Sequence, residues 1–189
     1  MPHPLLLLVF VHKDLADHDA DDIYEKQFKW LTKEFETLSG RPLAILFKSP
    51  SDAPALTDLS YKIDSPEQTL LSWSKKVEQH KQTQPADTYT NHTRKYLLLT
   101  RDNLSSTVAG IASQTGFVAI ASINGDQTPA HEVGHMFGAR HEDFEVYYNG
   151  WWDETIMASG SLESSLRGNA KRFSDKNRER IRKYLEENA

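Results

Sequence analysis

HEVGHMFGARH, residues 131–141, gathers three histidines and one glutamate into a single short stretch. On a helix, at about 100° per residue, His131 and His135 lie roughly 40° apart and present both imidazoles on one face. Glu132 falls about 100° round from His131, beside whatever the two rings would hold. Ala130, Val133 and Phe137 come together at about 200–260° and form an apolar stripe that can anchor the helix to a core. The same helix continued to residue 141 would carry His141 about 280° round, on the wrong side. Gly138 predicts a turn there, because glycine enters the left-handed region without a Cβ clash and ends helices. That turn brings His141 back toward the other two rings.

Three neutral imidazoles bind one Zn2+ and leave a coordination position open, the arrangement of a catalytic rather than a structural site. A carboxylate offset from the metal suits a general base acting on water. The metal ligands are therefore read as His131, His135 and His141, the catalytic residue as Glu132, and Gly138 as a structural residue of the site. The chain has no cysteine, so His and carboxylates are its only strong ligands. His3, His12, His18, His80 and His92 have no partner at ligand spacing, and a downstream Glu145 or Glu154 ligand is unnecessary once His141 is in place.

Working outward, Leu5 to Val11 (LLLLVFV) reads as a strand buried on both faces. Tyr24, Phe28, Leu31, Phe35 and Leu38 step as one helical face, with Asp21 or Asp22 to cap its start and Gly40 to end it. Leu43 to Phe47 is a second strand, and Ser65-Pro66 opens a helix whose face is Leu70, Trp73 and Val77. A polar loop is expected over 79–93, then strands Tyr96 to Thr100 and Phe117 to Ala121, a helix Thr128 to Arg140 capped by Thr128, and a last helix from Ser174. The order predicts an α/β (α+β) fold, a twisted, mixed sheet of four to five strands with helices packed on it, followed by a small irregular C-terminal part ending in a helix. One domain over 1–189 is expected, divided near residues 141 and 142. Asp17, Asp19 and Asp21 read as solvated charge at a helix start, and Tyr147, Tyr148, Trp151 and Trp152 as the small core of the C-terminal part.

A net charge of −5 argues against nucleic acid or an anionic membrane as partner. The longest apolar run, seven residues with no preceding Lys or Arg, reads as a strand and not a signal peptide, which leaves a cytoplasmic location or export without a cleaved signal.

The spacing of His131, Glu132, His135, Gly138 and His141 resembles the HExxHxxGxxH motif of the metzincin metallopeptidases, and Thr155-Ile156-Met157-Ala158-Ser159 is similar to that family's Met-turn, which lies beneath the zinc. The motif region is most similar to a compact reprolysin (adamalysin)-type catalytic domain. Glu142 stands where that group has Asp, and Ser159 stands where astacins and serralysins have a tyrosine ligand, so no tyrosine role is carried over. The resemblance implies a metzincin-like fold with Met157 as a structural residue of the site, and a monomeric zinc endopeptidase acting on protein or peptide substrates bound in extended form. It further implies that strand 117–121 is the edge strand they follow and that residues 158–162 build a primed-side pocket. The alternative is a zinc-binding interaction module, effector- or toxin-like, without turnover. An intact Glu132 argues against it.

Overall fold

A computed structural model describes residues 4–63, 65–85, 88–148, 150–158 and 167–188. Strands β1 (Leu5–Val11), β2 (Leu43–Lys48), β3 (Arg94–Thr100), β4 (Gly110–Ala112) and β5 (Val118–Ser122) form one sheet in the order β2-β1-β3-β5-β4. All neighbours pair parallel except β4, which runs antiparallel to β5. The fold is therefore the expected mixed sheet with helices on it.

Side chains alternate across a strand, and here both faces are covered. Leu5, Leu7, Val9 and Val11 of β1, with Leu97 and Leu99 of β3, join one core. Into it pack α2 (Lys29–Ser39) through Leu31, Phe35 and Leu38, α5 (Thr128–Met136) through Ala130 and Val133, and α6 (Asp175–Asn188) through Ile181 and Leu185. Phe10, Tyr96, Leu98 and Ile120 point the other way, onto Leu70, Trp73 and Val77 of α4 (Pro66–Thr83). That two-sided burial is why β1, and β3 from Tyr96 to Leu99, read as unbroken apolar runs, whereas β2, at the sheet edge, leaves Leu46 exposed.

Several expectations are corrected. The first long helix begins earlier, as α1 (Ala20–Ile23), capped by Asp19, whose side chain accepts from Asp21 N; a π-helical turn (Tyr24–Phe28) then joins it to α2. Asp21 and Asp22 lie inside the first turn, where acidic groups meet the positive end of the helix dipole. Helix α4 extends to Thr83, taking in the start of the expected loop, and a one-turn helix α3 (Pro54–Thr57) precedes it. Beyond residue 142 the chain is more regular than expected: β6 (Val146–Tyr148), β7 (Trp152–Glu154) and β8 (Gly168–Asn169) form a second, three-stranded sheet. Tyr148 and Trp152 on these strands, and Trp151 in the bend between them, are 54–67% exposed, so they are not a core.

Two buried polar groups tie the layers together. Glu34 on α2 accepts from Phe173 N at 2.9 Å and takes Arg178 of α6 in a two-pronged ion pair at 2.5 and 2.8 Å. Lys95 on β3 is fully buried, donating to Gly116 O at 2.8 Å and to Tyr184 Oη at 2.9 Å. Burial pushes its ammonium down to about 7. Between that value and the ordinary ~10.4 the unfolded chain holds a proton the folded chain lacks, so stability rises with pH through this window. From pH 7 to 9 the gain is about 2–3 kcal/mol. Lys95→Met is expected to flatten that rise in chemical denaturation; parallel pH slopes for the two proteins would show that Lys95 keeps its charge.

Candidate active site

Helix α5 is positioned by its apolar stripe. Ala130 and Val133 are fully buried, which leaves His131 and His135 turned to the opposite, half-open side. Its first helical hydrogen bond runs from His131 N to Gln127 O, so Gln127 is the cap and Thr128 the first helical residue. The helix ends at Met136, four residues before the expected Arg140. Ala139 N bonds back to Gly134 O at 2.9 Å and Gly138 N to His135 O at 3.0 Å, with Gly138 at φ 95°. This paired, left-handed ending swings the chain back, as the glycine predicted.

His141 consequently meets the other two rings. Its Nε2 lies 2.8 Å from His131 Nε2 and 2.9 Å from His135 Nε2. These three residues are the one group among the described His, Asp and Glu whose donor atoms cluster at metal-binding distance. The remaining ring nitrogens explain why they converge. His131 Nδ1 donates to Ile156 O at 3.0 Å, and His135 Nδ1 donates to Ala139 O at 3.1 Å. Carbonyls only accept, so each Nδ1 carries the proton and each Nε2 aims a lone pair inward. Burial, then the neighbouring imidazoles, hold His131 down to about 3 and His135 down to about 4, so neither takes a second proton at neutral pH. A single Nε2–H on His141 can satisfy at most one of two facing lone pairs, whereas a cation satisfies all three. This donor set fits zinc.

Glu132 lies beside the cluster, 5% exposed, its carboxyl pushed up to about 8 by burial. A dication among the histidines favours the carboxylate form. Met157 is fully buried beneath α5, close enough that a Cβ at Gly134 would meet its Sδ at 2.9 Å and Phe173 at 2.6 Å. The turn that carries Met157 also supplies Ile156 O to His131. Gln114 is a contributor with no sequence signature. Its Nε2 donates to Ala139 O at 3.1 Å and its Oε1 accepts from His135 Nδ1 at 3.3 Å, bridging the second histidine to the turn that returns the third.

The histidines and Glu132 lie in a cleft of about 1100 Å³. Residues 107–112 form one wall; Thr155, Ile156, Ala158 and residues 167–169 form the other. Among the described residues β4 is the sheet edge at this wall, paired only to β5. Strand β5, expected at the edge, is internal and fully buried between β3 and β4. Of the expected pocket residues 158–162, Ala158 lines the cleft and residues 159–162 lie outside the described residues.

No family model matches the sequence, and no curated protein does. Among solved structures, metalloproteinase-II from Bacteroides fragilis superposes with a TM-score of 0.64 at 17% identity, over 97% of this chain and 53% of that one. The chain has a metalloproteinase fold. It spans about half the length of that protein. Archaemetzincin from Archaeoglobus fulgidus, solved with malonate, aligns over 93% of this chain and 99% of its own at 11% identity and a TM-score of 0.47.

Proposed function

We propose that the chain is a zinc-dependent endopeptidase of the metzincin type, compact and most similar in its motif to the reprolysin side, cleaving protein or peptide chains held in extended form. The observation that carries this reading is the convergence of His131, His135 and His141 with Glu132 buried beside them, on a cleft walled by a sheet edge. His131, His135 and His141 would hold one zinc. Zinc, when bound, supplies a Lewis acid for the scissile carbonyl and lowers the pKa of water. Glu132 takes the proton of the attacking water and delivers it to the leaving amine. The β4 edge offers main-chain hydrogen bonds to an extended substrate, an affinity that does not depend on its side chains. Gly138 and Met157 shape and support the site.

A zinc-binding module without turnover is the second reading, and the buried Glu132 is the observation against it, since a purely structural site leaves no work for a base there. The test is a digest of a proteome-derived peptide library by the zinc-loaded chain, with and without a chelator. Chelator-sensitive cleavage that zinc restores is expected. A zinc-loaded chain inert toward the whole library would favour the binding module.

A further inference from the structure

Glycine contributes no side chain to packing, so its place at the first residue of β4, on the wall of the cleft, calls for a reason. Gly110 is not among the residues at positive φ, so its backbone conformation does not require glycine. Nor does its partner in the sheet, Ala121, an ordinary β residue. The space above its α-carbon does. A Cβ there would lie 2.7 Å from both Cγ and Oε1 of Glu132 and 3.0 Å from its Cδ, and these are the three nearest atoms. Glu132 is itself buried on α5, and a clash at its Cγ is harder to relieve than one at a free side-chain end.

We propose that Gly110 is a positioning residue for Glu132: its bare α-carbon is the surface against which the Glu132 side chain is seated, so the strand that forms the cleft edge also sets the place of the carboxylate. The packing stands on geometry alone; its catalytic consequence rests on the peptidase reading. Under that reading, the strand along which the substrate pairs and the base that acts on it share one contact, so register along β4 carries over to Glu132.

A double-mutant cycle on thermal stability tests the packing without any appeal to turnover. Gly110→Ala is expected to lower Tm by about 5 °C, the scale of overpacking in a chain of this size. In a Glu132→Ala background the same substitution is expected to change Tm by less than about 2 °C, because the atoms it would strike are gone. An unchanged Tm in the first case, or equal losses in both, would overturn the proposal. The catalytic arm is separate. Zinc content of Gly110→Ala should match wild type, since no ligand is touched, while kcat falls about tenfold or more and KM moves less than about threefold. A variant with wild-type kcat, from a chain that does cleave peptides, would also overturn it. A chain that cleaves nothing removes the peptidase reading and leaves the stability cycle to decide the packing.

Discussion

Glu132→Gln is expected to keep its zinc and to lose about 10²-fold or more in kcat, the scale of removing acid–base catalysis. The substitution preserves size, so the seat against Gly110 stays filled and the three histidines are undisturbed. The fold should tolerate it well. Burial already favours the uncharged form of this carboxyl, whose pKa is pushed up to about 8 in the metal-free site, and a carboxamide is uncharged at every pH. KM should move little, because extended-chain binding along β4 is untouched. Steady-state kinetics on zinc-replete protein check this, with elemental analysis alongside. A zinc-replete variant as fast as wild type would remove Glu132 from the mechanism.

Gly138→Val is expected to weaken zinc binding by about 10²-fold, the equivalent of the upper part of the ~1–3 kcal/mol range for a residue forced into a sparsely populated conformation. Space is not the obstacle, since a Cβ at Gly138 would make ordinary contacts of 3.7 Å with Thr115 and Tyr184. The obstacle is φ 95°, which a β-branched residue resists. Relief requires the turn to open, and opening it carries His141 away from His131 and His135. Competition with a chromophoric chelator would read the loss directly. Wild-type zinc affinity would show that the third histidine is returned by contacts other than this turn, such as the Gln114 bridge.

The parts of the molecule legible in its sequence are those where one periodic rule acts alone. Strand β1 is an unbroken apolar run because both its faces are covered, and its bounds match the expected Leu5 to Val11. The His131, His135 and Gly138 spacing encodes a face and a turn within one short segment. Contacts between distant segments leave no such trace. Strand β4 is three residues, Gly110, Ile111 and Ala112, with no alternation to notice, and the family resemblance places the edge instead on the longer apolar run of β5. The carbonyl of Ile156 and the amide of Gln114 reach His131 and His135 from 25 and 21 residues away. The exposed Tyr148 and Trp152 belong to strands of three residues, too short for periodicity to tell an inward from an outward face, and Trp151 lies in the bend between them.

Zinc-edge X-ray absorption on the metal-replete chain tests the central claim most directly, because it reads metal content and ligand type together. One zinc per chain is expected, with three imidazole nitrogens at about 2.0–2.1 Å and a fourth position taken by a light atom from solvent. A chain that retains no zinc, or a zinc held by four protein ligands, would contradict an open three-histidine site at His131, His135 and His141.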